Sequence, residues 1–298
     1  MKALDVDINW NKCGNLFTIF PIADTHLLAD TDSKEAYQPL DYDAWTYLKK
    51  VAHEIKGNRA YYGRLFSLSL ADLIEFERSS VRKTQKGLKK NDLKMKDTIN
   101  KQILNSYIIP KLRPLVDGTE FLCGIAGNHL VEFFDQKESV NSDEYITKKL
   151  GGVYLGESKG LINFHICRNK VNSCLIRAVI LHGTKGGSKQ AIVRELQKLA
   201  YLYGKIDLVI MAHAHDPMAH FHCKYDLPDR ADGKIQKHEC LVVCVGSTRG
   251  GEKMGYDDYT ERFNYPASAA RFPIIIGHLY KPAHRADNAT IKLRPLIM

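Results

Sequence analysis

The chain has no apolar run long enough to span a bilayer, no Pro/Gly/Ser-rich linker, no internal repeat and no Cys-x-x-Cys pair. The first absence argues against a membrane-embedded body. With no linker in 298 residues, the expectation is a single domain with a large core. The N-terminal stretch MKALDVDINWNKCGN carries acidic residues where a signal peptide would be apolar. Seven cysteines, an odd number, suit a reducing compartment better than a disulfide framework. A cytoplasmic protein is expected. At 44% hydrophobic and 26% charged, the composition is that of an ordinary globular protein.

Lys and Arg total 43 against 34 Asp and Glu, a net charge of +9. That is a mild lean towards anionic partners. The excess is concentrated. Arg82, Lys83, Lys86, Lys89, Lys90, Lys94, Lys96 and Lys101 face only Asp92 and Asp97, so this stretch alone holds +6. The usual meaning of such a run is a solvated helix face.

Several apolar runs read as buried strands, and five of them end in side chains able to bind metal. Leu16 to Ala23 runs into Asp24-Thr25-His26, and Leu65 to Leu70 into Ala71-Asp72-Leu73-Ile74-Glu75. Phe121 to Ala126 runs into Gly127-Asn128-His129, Cys174 to Leu181 into His182-Gly183, and Ile206 to Met211 into His213-Ala214-His215. Further strands are expected over 161–167, 241–246 and 273–280. Helical spacing is seen from Trp45 to Ile55, from about Asp92 to a stop at Pro110, and from about Gln190 to Tyr203. Strands alternating with helices argue for an α/β fold.

Taken singly, each strand end has an ordinary explanation. Asp24-x-His26 can be a turn, Asp72 a helix cap and His182 a core histidine. Together they require five coincidences, each placed directly after an apolar strand. Carboxylate, imidazole and carboxamide groups suit divalent ions of intermediate hardness, and the absence of cysteine at these ends disfavours thiolate zinc or iron-sulfur sites. Two ions roughly 3.5 to 4 Å apart, bridged by a carboxylate, can activate a hydroxide and stabilise a phosphate under attack. Residues two apart on an extended chain point the same way, so Asp24 with His26, and His213 with His215, can converge.

In order and rough spacing, DTH, ADLIE, GNHL, HG and AHAH resemble the five motifs of the calcineurin-like metallophosphoesterases. They extend from Asp24 to His215, about two thirds of the chain. The resemblance implies an α/β four-layer sandwich of two mixed β-sheets flanked by α-helices, the metallo-dependent phosphatase-like fold. It also implies one domain over 1–298, in which we place a basic helical insertion at about 78–112. Asp24, His26 and His215 would hold one divalent ion, and Asn128, His182 and His213 the other, with Asp72 bridging. Manganese is the favoured metal, with iron, zinc, nickel and magnesium as alternatives. His129 would be the general acid or a charge stabiliser, with Glu75 orienting it. Ala71 and Ala212 stand where the family has glycines, an exchange without penalty only at negative φ. Leu130 replaces the acidic residue after His129.

The resemblance implies hydrolysis of phosphate esters. Phe76 stands where the family's serine/threonine protein phosphatases usually have arginine, which speaks against that branch. The basic stretch, with Lys89, Lys90 and Lys94, can track a phosphodiester backbone. Arg249, Tyr256, Tyr259 and Tyr265 offer cation and stacking surface for single strands, although tyrosines packed on the body explain that loop as well. A phosphodiesterase, most of all a DNA or other nucleic-acid nuclease, is the leading expectation. The alternatives are a phosphomonoesterase acting on a nucleotide or small metabolite and a non-catalytic protein-binding scaffold. No membrane partner is expected.

Overall fold

A computed structural model describes residues 1–9, 15–27, 42–74, 98, 100–128, 130–135, 138–167, 173–183, 189–202, 205–214, 217–226, 236–247, 271–280 and 290–298. Most of the basic stretch and the loop carrying Arg249 lie outside these residues, and so do Glu75, His129 and His215.

The chain forms two six-stranded mixed sheets. One runs in the order β1 (Lys2–Asn9), β8 (Lys159–Cys167), β9 (Ser173–Leu181), β10 (Leu208–Met211), β12 (Gln236–Cys244) and β11 (Met218–Asp226). The other runs β14 (Thr290–Ile297), β13 (Pro273–Tyr280), β2 (Leu16–Ile22), β3 (Arg64–Ser69), β4 (Glu120–Gly124) and β7 (Val153–Tyr154). A hairpin of β5 (Glu132–Asp135) and β6 (Glu138–Asn141) stands apart.

Side-chain alternation decides how the sheets stack. Phe17, Ile19, Phe66 and Leu68 from one sheet meet Ile162, Phe164, Ile180 and Ile210 from the other in a common core. Phe164 lies across the interface with ring centroids 6.2 Å from Phe17 and 5.9 Å from Phe66. The opposite faces are also apolar, because helices cover them. Phe20, Ile22, Leu65, Ile274 and Ile276 pack with Leu48, Val51 and Ile55 of α1 (Tyr42–Gly57). A short α2 (Arg59–Tyr62), α3 (Ile109–Val116) and α4 (Ser142–Lys149) complete that side. Val179, Val209 and Val242 pack with Ile192, Leu196 and Leu199 of α5 (Lys189–Leu202). The order helix, sheet, sheet, helix is the expected four-layer sandwich. Strands covered on both faces read as continuous apolar runs, as these do.

Pro110 does not close its helix. The chain passes through a π-helical turn, Leu104–Ile108, and Pro110 sits in the first turn of α3. Among the described residues, no helix is long and apolar enough to cross a membrane.

Strands β2, β3 and β4 run parallel, as do β9, β10 and β12 in the facing sheet. Each triplet therefore brings its C-terminal ends to one edge, where open α/β sheets place their ligands.

Candidate metal centre

The β2–β3 pairing is interrupted at the site and then resumes. Leu70 N donates to Ile22 O and Asp24 N to Ala71 O, and pairing returns at a Leu27–Ile74 bridge. Between these points Asp24, His26, Ala71 and Asp72 take φ of 48°, 45°, 75° and 50°, and His213 takes 67°. Left-handed backbone at a non-glycine residue is disfavoured by about 1–2 kcal/mol. Five such residues at one edge mark a place where the surrounding structure imposes the conformation. Asp24 and His26 thus leave the sheet through left-handed turns rather than along the extended backbone expected from their spacing. Ala71 falls in the left-handed region too, so its exchange for glycine is not free of strain, whereas Ala212 is absent from the positive-φ residues.

Asp24, Asp72, His182 and His213, from four different strand ends, bring one ligand atom each within 4.8 Å of one another. Asp24 and His26 are fully buried, and Asp72 and His182 are 1% exposed. His26 Nε2 lies 3.9 Å from Asp24 Oδ1. Asp72 Oδ2 lies 2.9 Å from His182 Nε2 and 4.0 Å from His213 Nδ1. Asn128, which is exposed, places Oδ1 2.9 Å from His182 Nε2. Four of the seven expected ligand residues therefore converge on one spot, with His26 beside Asp24 and Asn128 beside His182. The seventh, His215, lies outside the described residues, as do His129, Glu75, Arg249, Lys89, Lys90 and Lys94.

Backbone and side-chain bonds within and between the sheets hold the site together. His213 N donates to Asp24 Oδ2 at 2.8 Å and Ser247 Oγ to Asp24 O at 2.8 Å. Asn128 N donates to Asp72 Oδ1 at 3.0 Å, and Thr25 Oγ1 to Leu73 O at 2.7 Å. His182 Nδ1 lies 2.7 Å from Leu70 O, and since a carbonyl only accepts, Nδ1 carries a proton. Burial alone would lower the pKa of His182. The hydrogen bond to Asp72 and the charges of Asp24 and Asp72 outweigh it and raise the pKa to about 9.

This donor set fits a divalent cation. Two buried carboxylates gain from a compensating charge. A ligating histidine usually donates its other ring N–H to a carbonyl or carboxylate, which is the arrangement at His182. Its Nε2, turned towards Asp72, is where an ion would take the place of a proton.

Two glycines are fixed by close approach. A Cβ on Gly127 would fall 2.0 Å from Asp72 Oδ1, and Gly183, at φ 87°, would meet Ala212 O at 3.0 Å. Sequence reasoning missed Asp143, Ser247 and the Leu70 carbonyl. Asn141-Ser142-Asp143-Glu144 is legible as a helix start, with Asn141 Oδ1 accepting from Glu144 N at 2.8 Å. Its link to the site is a long-range contact that local pattern does not contain.

Sheet order and converging strand ends together decide the architecture. The fold is that of the calcineurin-like metallophosphoesterases. No family model matches the sequence, and no curated protein matches it. Solved structures similar to this chain include Vps29 from Chaetomium thermophilum, at 12% identity over 94% of this chain and 96% of that one, with a TM-score of 0.32. A Vps29 double mutant from Entamoeba histolytica is 11% identical over 95% and 99%, with a TM-score of 0.30. The calcineurin-like phosphoesterase YfkN from Bacillus subtilis is 10% identical over 95% and 90%, with a TM-score of 0.38. At scores this low the superpositions carry no part of the assignment, which rests on the sheets and the site.

Proposed function

We propose that this protein is a two-metal-dependent phosphoesterase that hydrolyses phosphodiester bonds, with nucleic acid as its substrate. The observation that carries the reading is the convergence of Asp24, Asp72, His182 and His213 from four strand ends, with ligand atoms within 4.8 Å. Asp24, His26 and His215 would hold one ion and Asn128, His182 and His213 the other, with Asp72 between them. Manganese suits the mixed nitrogen and oxygen donors. When bound, such a pair supplies a hydroxide nucleophile and neutralises charge on the phosphate oxygens.

The chain's own residues orient the reaction. His182 is held by its Nδ1–H on Leu70 O, which leaves Nε2 directed at the site. Asp24 is anchored through Oδ2 to the His213 backbone, which directs Oδ1 towards His26. His129, directly after Asn128, would protonate the leaving oxygen, with Glu75 orienting it. Preference for a polyanionic diester is supported by the +6 segment that follows the Asp72 strand. Arg249, Lys89, Lys90 and Lys94 would contact the backbone phosphates.

The test is hydrolysis of bis(p-nitrophenyl) phosphate, p-nitrophenyl phosphate and single- and double-stranded DNA in Mn2+ at low and physiological salt. Cleavage of the diester and of DNA, weakening with salt, supports the reading. Turnover of the monoester alone would make the protein a phosphomonoesterase, and metal-free protein that hydrolyses nothing would make it a scaffold.

A further inference from the structure

Asn128 differs from the other candidate ligands. Packing encloses Asp24, His26, Asp72 and His182, whereas Asn128 is exposed on the loop after β4. Its position is set through the backbone, and there two carboxylates from different elements hold successive N–H groups. Asn128 N donates to Asp72 Oδ1 at 3.0 Å, and Gly127 N donates to Asp143 Oδ2 at 2.9 Å. Asp143 is 2% exposed, and a carboxylate is costly to bury unless its bonds are well made.

Asp143 is itself held firmly, in the first turn of α4. Asn141 caps that turn, Ser142 N donates to Val131 O at 2.9 Å, and Val131 N donates to Ser142 Oγ at 3.1 Å. Further along, Thr147 lies against β4 so closely that a Cβ on Gly124 would fall 2.0 Å from its Oγ1. The helix start thus fastens both ends of the loop, at Gly127 and at Val131. Gly127 can lie between its two carboxylates only because it has no side chain, since a Cβ would fall 2.0 Å from Asp72 Oδ1 and 2.9 Å from Ala71 Cβ.

We infer that Asp143 is a positioning residue for this site: it presses the Gly127–Asn128 turn against Asp72 and so determines where the Asn128 side chain meets His182. The inference rests on the proposed metal centre and specifies which of its two ions depends on α4. Removing the Asp143 carboxylate releases the turn on one side, and Asn128 then loses its register with His182 while Asp24 and His26 keep theirs.

The experiment measures Mn2+ stoichiometry and affinity, kcat and KM for bis(p-nitrophenyl) phosphate, and hydrogen exchange of the Gly127 amide in metal-free protein. It compares wild type with Asp143→Ala, Asp143→Asn and Asp143→Glu. Asp143→Ala should accelerate Gly127 exchange at least tenfold. It should weaken one of the two ions by about 10- to 100-fold, the scale for residues supporting a ligand, and leave the other unchanged. kcat should fall with KM little altered, and Asp143→Asn, which keeps an acceptor oxygen, should recover most of the loss. If Asp143→Ala does not fold, Asp143→Glu keeps the charge but displaces the oxygen by a methylene, and the same selective loss is expected. A folded variant of either kind that binds both ions like wild type overturns the inference. Wild type that takes up no divalent ion overturns the metal centre itself, a failure visible before any variant is compared.

Discussion

At the residue scale, Asp72 has the most demanding position. It touches His182, faces His213 and accepts from Asn128 N. Asp72→Asn should abolish turnover and reduce bound metal from two ions to at most one, read by metal analysis of the purified variant. His129→Ala should keep the metal and lose roughly a hundredfold or more in kcat, the scale for a general acid. Ala71 and Gly127 make an instructive contrast. Ala71 bears left-handed strain of about 1–2 kcal/mol, but its methyl group is fully buried in the inter-sheet core. Glycine there would relieve the strain, lose about 0.8 kcal/mol of burial and add about 0.5–1 kcal/mol of chain entropy cost. These offset, so Ala71→Gly should shift stability by less than about 1 kcal/mol in denaturant unfolding. This is how alanine is tolerated where the motif has glycine.

At the scale of elements, α5 covers the outer face of the β9–β10–β12 sheet through Leu196, which is fully buried. Leu196→Ala should destabilise by about 2–5 kcal/mol in denaturant melts while leaving metal uptake intact, because the site lies at the strand ends. The central strands and α1 and α5 were legible in the sequence to within a few residues, because strands covered on both faces read as apolar runs and one-sided helices show a 3.6 period. Edge elements were not. β1, KALDVDIN, turns Val6 and Ile8 into the core and Asp5 and Asp7 outward, so half its residues read as polar loop. β14 contains Pro295, which argues against a strand except at an edge, and β14 is an edge strand. Pro110 misled for the opposite reason: a helix stop by local rules, it lies in a helical path that runs through a π turn and on to Val116.

At the scale of the molecule, strand alternation and motif order anticipated the layers, but not the sheet order. Pairings such as β13 on β2, or β1 parallel to β8, join segments more than 100 residues apart, and no local pattern encodes them. The same long-range closure sets the pH dependence. In the metal-free protein His182 is raised to about 9, from an unfolded value near 6.5. A proton held more tightly in the folded state stabilises fully below pH 6.5, and that contribution is lost as pH rises through about 9. Metal-free protein should therefore melt at progressively lower temperature between pH 6.5 and 9, and Asp72→Asn should flatten that slope. Over the same window metal affinity should rise, because the ion displaces the proton from Nε2.

The most direct test of the central claim is Mn2+ titration of metal-free protein followed by calorimetry, with bis(p-nitrophenyl) phosphate hydrolysis measured on the same samples. Two ions per chain, with diester hydrolysis appearing as the sites fill, is the expected result. A wild-type chain that binds no ion, or that fills without gaining any hydrolysis, would contradict the account.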